Sequence, residues 1–266
     1  MIPKIIHFVW VGNNPKPQSV LNCIESWKKY CPDYDIMEWN DNILKDIDNL
    51  YAKQAYENKK WAFVSDYVRL WVLYKYGGFY FDTDLELTNN IDKFRNYDYV
   101  TGFEKYKESF HPLTAFWGCE KGNKLIGRLL EEYNYINFIS NGNIDQTTNV
   151  QRVERFLREK LNFKCEWNGL DTILIEENSF IFPYYYFCLP MLDKENYAIH
   201  HYEGSWLDGW SRKIICSIGT YRFIRFRKRK NVLSNNFTIL KEESVLRTID
   251  INFFRMKIKI CLVKVV

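Results

Sequence analysis

Long apolar runs are missing from this sequence of 266 residues. No stretch approaches the roughly 18 apolar residues that a membrane-spanning helix needs. The opening segment MIPKIIHFVWVG lacks the length and the flanks of a signal peptide. Internal repeats and low-complexity linkers are also missing. Together with a hydrophobic fraction of 47%, these absences predict one compact domain with a small appendage.

Paired cysteines are missing as well. The seven cysteines lie at irregular spacings, and no two of them form a CxxC pair. Zinc sites and disulfide frameworks usually show paired or evenly numbered cysteines. We therefore interpret these residues as reduced thiols of a cytosolic protein, and we predict no zinc site.

Basic residues are concentrated at one end of the chain. Residues 212–266 hold fourteen Lys or Arg and three Asp or Glu, a net charge of +11. Residues 1–211 hold 23 basic and 30 acidic residues, a net charge of −7. The asymmetry predicts a mildly acidic body over 1–211 and a basic extension over 212–266. We expect this extension to form a helix, a loop and an amphipathic end.

Aromatic and aliphatic residues are interleaved with the cations of this extension, for example in RKIICSIGTYRFIRFRKRK. One interpretation is an interfacial anchor that binds an anionic membrane surface. A solvated basic face that packs on the body is the other. Nucleic acid is not expected as a partner, because no recognition motif accompanies the charge.

Hydrophobic periodicity predicts alternating strands and helices, which favours an α/β sheet. The predicted strands are 5–11, 34–40, 79–81, 97–103, 113–118, 172–182 and 197–202. The predicted helices are 17–30, a segment that follows Asp41 as its N-cap, 60–76, 122–135 and 147–160.

Two aspartates follow the apolar strand 79–81. Asp82 and Asp84 stand on either side of a threonine, and in an extended chain their side chains point the same way. The carboxyl edge of an open α/β sheet is where ligands bind. A divalent cation that carries substrate phosphates would neutralise such a pair. A solvated loop is the simpler interpretation.

A phosphatase with a nucleophilic aspartate also places DxD after a strand, as in the haloacid dehalogenase pattern. That pattern requires Thr or Val two residues after the second aspartate, where this chain has Glu86. It also requires the motif on the first strand, whereas about eighty residues precede it here. A phosphohydrolase is therefore a distant alternative.

Asp66 and Arg69 lie three residues apart on the preceding helix and therefore share one face. They are either a surface ion pair or part of a ligand site. In the second case Asp66 accepts hydrogen bonds from a sugar hydroxyl, and Arg69 counters phosphate charge. His7 and His111 lack such a context, and we interpret both as structural.

Three blocks in this order, IPKIIHFVWVG, SDYVRLWVLYKYGGFYFDTD and AIHHYEGSW, resemble glycosyltransferase family 32. That family includes bacterial capsular polysaccharide transferases and the yeast initiating mannosyltransferase, and the clostridial glucosylating toxins are more distant relatives. The resemblance spans about residues 1–206. It implies a GT-A fold with a Rossmann-like mixed sheet, a nucleotide-sugar donor, Mn²⁺ or Mg²⁺ on the DxD, and retention at the anomeric carbon.

The same resemblance assigns donor contacts. The first block places Val9 and Trp10 against the nucleoside, with Trp10 stacked on the base. Asp66 and Arg69 match the helix positions that hold the donor sugar and the diphosphate. The late Ser205–Trp206 pair matches a segment that closes over the donor.

The metal ligands implied by the resemblance are Asp82, Asp84 and a histidine of the late block. We place this ligand at His200, and His201 stays an alternative. An imidazole is a suitable third protein ligand beside two carboxylates. An alternative for paired histidines in a strand is one core residue and one surface residue.

The resemblance therefore implies a metal-dependent hexosyltransferase. It would move a sugar from a UDP- or GDP-linked donor to a glycan or lipid-linked saccharide, in surface polysaccharide synthesis at the inner face of the cytoplasmic membrane. The alternatives are a phosphohydrolase, a toxin-like protein glycosyltransferase, and a non-catalytic membrane- or polyanion-binding protein. No clearly placed nucleophile is evident, which favours a front-face path over a covalent intermediate.

Overall fold

The structure is a computed structural model. It describes residues 1–106, 109–159, 161–162, 167–203, 210–218, 221–228, 245–253 and 256–264. Side chains are described up to residue 203, and the later strands are described by their backbone. The chain divides into two compact units, Met1–His201 and Tyr202–Val266, which we describe separately.

The first unit alternates strands with helices along the chain. Its helices are Gln18–Tyr30 (α1), Leu50–Glu57 (α2), Trp61–Tyr76 (α3), Lys124–Glu132 (α4), Asn149–Glu159 (α5) and Tyr184–Phe187 (α6), with short 3₁₀-helices at Asp41–Lys45 and Asp92–Asn96. Its strands are Ile5–Val9 (β1), Asp35–Trp39 (β2), Gly78–Phe81 (β3), Leu85–Leu87 (β4), Tyr99–Tyr106 (β5), Ser109–Pro112 (β6), Phe116–Cys119 (β7), Ile139–Ser140 (β8), Asn143–Ile144 (β9), Ile173–Glu176 (β10), Ser179–Phe182 (β11) and Ala198–His200 (β12).

The main sheet has the strand order β10-β11-β5-β7-β3-β1-β2, and β6 pairs with β5 outside this path. Strand β1 runs parallel to both β2 and β3, and β11 runs parallel to β5. Strands β3 and β5 both pair antiparallel with β7. Strands β4 and β12 form a separate antiparallel pair. The mixed sheet flanked by helices confirms the predicted α/β class and is the arrangement expected of a GT-A fold.

The two faces of strand β3 carry different layers of the protein. The Phe81 ring lies 5.5 Å from the Trp27 ring of α1. The next residue back, Tyr80, lies under the Arg69 guanidinium of α3, at 4.7 Å. Alternate residues of a strand point to opposite faces. Helix α1 therefore covers one face of the strand that leads into the DxD, and α3 covers the other.

A pair of glycines turns helix α3 into strand β3. The Gly77 N–H donates to Leu73 O at 2.8 Å and ends the helix. Gly77 and Gly78 have φ values of 67° and 99°, which side-chain-bearing residues rarely adopt. A Cβ on Gly77 would lie 2.5 Å from the backbone nitrogen of Lys121. The glycines therefore fix the helix relative to the carboxylates that follow the strand.

The prediction that Asp41 caps the following helix is wrong. The side chain of Asn40 caps the 3₁₀-helix, and that of Asn49 caps α2. The Asp41 carboxylate instead accepts hydrogen bonds from Gly12 N at 3.0 Å and Tyr56 Oη at 2.6 Å. It thereby anchors the loop that leaves β1.

His7 is fully buried in β1 and has a structural role, as predicted. One ring nitrogen bonds Gly77 O at 2.8 Å, and the other accepts from Trp39 Nε1 at 3.1 Å. Burial lowers the pKa of His7 to about 4, although the bond to Gly77 opposes the shift. The neutral ring is thus part of the folded structure.

We expect His7 to make the protein sensitive to acid. Between its ordinary pKa of about 6.5 and the folded value, the unfolded chain binds a proton that the folded chain does not. The free energy of unfolding should therefore fall by about 3 kcal/mol as the pH falls through this window. Urea unfolding of the wild type and His7→Gln at pH 7, 6, 5 and 4 measures the effect. Equal pH slopes for the two proteins would contradict it.

The second unit contains four strands where the sequence analysis expected a helix, so that expectation is wrong. They are Trp210–Ile218 (β13), Tyr221–Lys228 (β14), Val245–Phe253 (β15) and Met256–Lys264 (β16), in the antiparallel order β13-β14-β16-β15. The sequence YRFIRFRK alternates apolar and basic residues with a period near two, which is typical of a strand.

None of the helices that the structure describes has both the length and the apolar character needed to cross a bilayer. Four of the seven cysteines, Cys23, Cys31, Cys119 and Cys188, have described side chains, and all four are buried.

Candidate active site

The DxD stands in a turn rather than in an extended segment. Asp82 follows β3, and its N–H donates to Ala115 O at 2.9 Å. The Leu85 N–H then donates back to Asp82 O at 3.0 Å, which closes a turn over Asp82–Leu85. The expectation of an extended Asp-Thr-Asp is therefore wrong. The turn returns the chain into β4.

Pairing of β4 with β12 brings a histidine to this turn. His200 lies opposite Leu85, and the His201 N–H donates to Asp84 O at 2.9 Å. The His200 Nε2 lies 3.4 Å from Asp84 Oδ1. One ligand atom from each of Asp82, Asp84 and His200 lies within 4.8 Å of the other two. The structure thus brings the three sequence-predicted metal ligands together.

His201 has a different partner. Its Nε2 lies 2.8 Å from Glu86 Oε2 on β4. Glu86 and His201 do not belong to the group formed by the DxD and His200. His200, which ends β12, and His201, which follows it, thus contact two different acidic groups.

Arg69 lies behind the carboxylates, and its side chain is only 4% exposed. Its Nη2 lies 3.0 Å from Asp66 Oδ1 and 3.2 Å from Asp82 Oδ1. Its Nη1 donates to Thr114 O at 2.6 Å. One guanidinium therefore bridges helix α3, the DxD turn and the segment before β7. The surface ion pair considered from the sequence is ruled out by this burial.

Burial and neighbouring charges shift the pKa values of Asp66, Asp82 and Arg69. It raises the pKa of Asp66 to about 6, with Arg69 lowering the pKa and Asp82 raising it further. Burial also raises the pKa of Asp82, where Arg69 opposes the shift and Asp84 adds to it. Burial lowers the pKa of Arg69 itself, but the neighbouring carboxylates outweigh it and the net shift is upward. The arginine therefore remains charged.

The Asp84 carboxylate favours the charged form of His200. Burial lowers the pKa of His200, but the attraction of Asp84 outweighs it, and the pKa is raised well above the ordinary histidine value. A cation bound by His200 would take the place of the ring proton, because a histidine binds metal in its neutral form.

Comparison with known proteins agrees with this geometry. Residues 17–101 match the model of the glycosyltransferase sugar-binding region containing a DXD motif. This segment, about a third of the chain, is similar to the DXD glycosyltransferase family. The match covers Asp66, Arg69, Asp82 and Asp84 and confirms the family resemblance found in the sequence.

A relative in Schizosaccharomyces pombe (strain 972 / ATCC 24843), inositol phosphoceramide mannosyltransferase 3, is 31% identical over 100 residues. That match covers 36% of this chain and 28% of the relative, so the chain matches only about a quarter of its length.

Two solved glycosyltransferases are similar in structure. The PaToxG glycosyltransferase has a TM-score of 0.47 and 20% identity, over 60% of this chain and 70% of that one. The ligand-free glycosyltransferase domain of the YGT toxin has a TM-score of 0.31 and 12% identity, over 63% and 70%. Both similarities are too weak to support a conclusion about this chain.

The donor set of the DXD motif suits a divalent cation. Two carboxylate oxygens are the ligands that Mg²⁺ and Mn²⁺ prefer. The additional imidazole nitrogen favours Mn²⁺, because magnesium sites use oxygen almost entirely. Asp82, Asp84 and His200 would hold the ion, which would supply positive charge beside the donor phosphates. The residues present therefore fit the metal that the family implies.

The predicted nucleoside contacts differ in exposure. Val9 is buried and packs in the core. Trp10 is half-buried, donates from Nε1 to Asn14 O at 2.7 Å, and has Lys16 Nζ 5.9 Å from its ring centroid. Ser205 and Trp206 lie outside the described residues.

The sequence analysis missed two polar side chains of this site. The Tyr80 hydroxyl donates to Asp82 Oδ1 at 3.0 Å and helps to orient it. Glu104 of β5 lies across from His111. Burial raises the pKa of Glu104 to about 7, against the effect of His200. In the sequence, Glu104 directly follows the run YVTGF. An acidic residue directly after a strand-like run was the signal that could have identified it.

Proposed function

We propose that this chain is a retaining, metal-dependent hexosyltransferase that takes its sugar from a nucleoside diphosphate donor. The observation that carries the proposal is the convergence of Asp82, Asp84 and His200 beside the Asp66–Arg69 pair. All of these residues except His200 lie in the segment that matches the DXD family. Mn²⁺ is the proposed metal and Mg²⁺ its alternative.

Each residue of the site has a proposed task. Asp82, Asp84 and His200 would hold the ion, which neutralises the charge that develops on the departing diphosphate. Arg69 positions Asp66 and Asp82, because its donors already point to both carboxylates. Its charge also attracts the diphosphate.

Asp66 and Trp10 are the residues proposed to recognise the donor. The Asp66 carboxylate is held on one side by Arg69 and accepts hydrogen bonds from donor sugar hydroxyls on the other. The half-buried Trp10 stacks on the base. We propose a UDP- or GDP-linked donor, because the described contacts include no group that selects the base. We propose retention by a front-face path, because the three aspartates of the site are engaged by Arg69 or grouped at the metal site.

The proposed acceptor is a glycan or a lipid-linked saccharide in surface polysaccharide synthesis. The mannosyltransferase relative acts, by its name, on inositol phosphoceramide. A toxin-like protein acceptor is the alternative, suggested by the similarity of the family core to glucosylating toxins.

A panel of nucleotide-sugars tests the proposal. Thermal unfolding with UDP- and GDP-sugars in the presence of Mn²⁺ should show a rise in Tm for at least one donor, because a bound ligand adds RT ln(1 + [L]/Kd) to the stability. The same donor should be hydrolysed slowly to free sugar and nucleoside diphosphate. Turnover of simple phosphate esters with no response to any nucleotide-sugar would instead indicate a phosphohydrolase.

Asp66→Asn should weaken binding of the whole donor more than binding of the free nucleoside diphosphate. The lost charged hydrogen bond contributes about 1.5–3 kcal/mol, which is roughly 10- to 150-fold in Kd. Trp10→Ala is the matched comparison and should weaken both ligands equally, since stacking acts on the base. Calorimetric Kd values for both ligands measure the two effects. Equal losses for Asp66→Asn would remove Asp66 from the sugar site.

We further propose that the basic extension, residues 212–266, holds the enzyme on the anionic inner face of the cytoplasmic membrane. Its net charge of +11 supports this, since each cation near such a surface contributes about 1 kcal/mol. The full chain should sediment with phosphatidylserine vesicles, and binding should weaken with salt. A truncation to 1–211 that binds donor, and so is folded, should stay in solution. Unchanged sedimentation of this truncation would contradict the anchor.

A further inference from the structure

A cavity of about 230 Å³ lies beside the proposed donor site. Helices α3, α4 and α5 and the segment after α4 form its wall. The lining residues are Leu70, Leu129, Glu132, Tyr133, Tyr135, Ile136, Asn149, Arg152 and Arg155. Pockets for drug-sized ligands are about 300–1,000 Å³. This cavity therefore suits a single small ring rather than a whole oligosaccharide.

Three buried polar groups of this lining lack a hydrogen-bond partner within the described part of the chain. They are Arg152 Nε, Asn149 Nδ2 and Tyr133 Oη. Each residue is at least nine-tenths buried. A buried polar group without a partner costs about 1–3 kcal/mol, and most such groups in native proteins are satisfied. All three groups can donate a hydrogen bond. A ligand with several acceptor oxygens would therefore suit the cavity.

The ionic groups of the cavity are already neutralised. Arg152 forms an ion pair with Asp145. Arg155 Nη2 lies 3.8 Å from Glu132 Oε2. An anionic ligand would have to compete with both carboxylates. An uncharged ligand would use the remaining donors without disturbing either pair.

The rest of the lining is apolar or aromatic. Leu70, Leu129 and Ile136 supply aliphatic surface. Tyr135 is 80% exposed, so its ring is available at the mouth of the cavity. Aromatic faces beside hydrogen-bond donors suit a pyranose. Its ring faces carry C–H groups, and its hydroxyl groups lie around the edge of the ring.

Helix α3 connects this cavity with the donor site. Asp66 and Leu70 are four residues apart and therefore share one face of the helix. Arg152 and Tyr133 are close enough to Asp66 to act on it electrostatically. A ring in the cavity would thus lie near the proposed donor sugar.

We propose that this cavity is a subsite for the acceptor and binds one uncharged pyranose ring. The proposal rests on the proposed transferase function. Arg152, Asn149 and Tyr133 donate to ring hydroxyl oxygens, and Tyr135 covers one face of the ring. The acceptor class is accordingly a neutral glycan, or a lipid-linked saccharide with a neutral sugar at this position.

Ligand-observed NMR with the full chain tests the subsite. The probes are methyl α-mannopyranoside, methyl α-glucopyranoside and methyl β-galactopyranoside, with donor and Mn²⁺ present so that the donor site is filled. At least one probe should bind, and Tyr133→Phe and Tyr135→Ala should each weaken it about tenfold. Both variants should fold, because the Tyr133 hydroxyl has no partner among the described residues and Tyr135 is exposed.

Arg158→Ala is the matched control. Arg158 lies one turn beyond Arg155 on α5. It pairs with Glu154 and is outside the cavity lining. This variant should bind the probe as the wild type does. Absence of binding by all three probes, or equal losses for Tyr133→Phe and Arg158→Ala, would overturn the proposal. Tighter binding of methyl glucuronide than of the neutral probes would also overturn it.

Failure of the subsite and failure of the transferase function give different results. If only the subsite is wrong, the nucleotide-sugar still raises Tm and is hydrolysed, but no methyl pyranoside binds. If the transferase function is wrong, no nucleotide-sugar raises Tm. Because the subsite is proposed as the acceptor site of that transferase, the second result would overturn it as well.

Discussion

Asp82→Asn and Asp84→Asn are each expected to reduce turnover of the nucleotide-sugar by about 10³-fold or more. Each change removes a negative ligand from the group of Asp82, Asp84 and His200, and a bound divalent ion supplies several kcal/mol of charge stabilisation in the transition state. Initial rates of donor hydrolysis with saturating Mn²⁺ measure the loss. EDTA should produce the same loss in the wild type, and excess Mn²⁺ should reverse it.

Glu86→Gln is the matched control for these two variants. Glu86 lies two residues further along, and its carboxylate bonds His201 rather than joining the cluster. This variant should keep most of the activity. Both aspartate variants are expected to remain folded, because Asn keeps the shape of the side chain and an acceptor oxygen at each position. Full activity in excess chelator would contradict the metal role.

Arg69→Met is expected to lower the free energy of unfolding by about 3–5 kcal/mol, besides impairing donor binding. The substitution leaves Asp66 and Asp82 without their shared counter-charge in a buried setting. Urea unfolding at pH 7 measures the loss. Arg128→Met is the control, because its ion pair with Glu176 is largely exposed and should contribute less than about 1 kcal/mol.

The Arg69→Met deficit should shrink as the pH falls from 7 to 5. Burial already raises the pKa of Asp66 to about 6, and loss of Arg69 removes the group that lowers it. The folded variant then binds protons that the unfolded chain does not, so acid stabilises the variant relative to the wild type. Comparison at each pH cancels the contribution of His7. A deficit that is constant from pH 7 to 5 would show that unpaired carboxylate charge is not its cause.

The regular part of the fold follows from local sequence signals. Strand 79–81, helix 60–76 and the glycines between them were predicted within one residue of their observed bounds. The helix is long and apolar, and two glycines adopt backbone angles that end it. Both signals act within a few residues, which is why a single sequence reveals them.

Contacts distant in sequence were harder to predict. The sequence places Asp66 and Arg69 on one helical face, but it contains no sign that Arg69 is buried against Asp82 and Thr114. The turn at the DxD was missed because it depends on β4 pairing with β12, more than a hundred residues later. That pairing also separates the roles of His200 and His201.

The basic extension shows how a composition signal can mislead. Alternation of aromatic and basic residues suggested an amphipathic helix, but the period is nearer to two than to 3.6, and the structure has strands. Charge content alone does not distinguish these two elements. The proposed membrane anchor depends on the net charge and does not require a helix.

Manganese binding measured by electron paramagnetic resonance tests the central claim most directly. In the presence of UDP or GDP, the wild type should bind one Mn²⁺ per chain, and His200→Ala should weaken binding strongly while His201→Ala should not. This outcome follows from His200, and not His201, joining Asp82 and Asp84. No Mn²⁺ binding by the wild type with either nucleotide, or loss of binding in His201→Ala alone, would contradict the account.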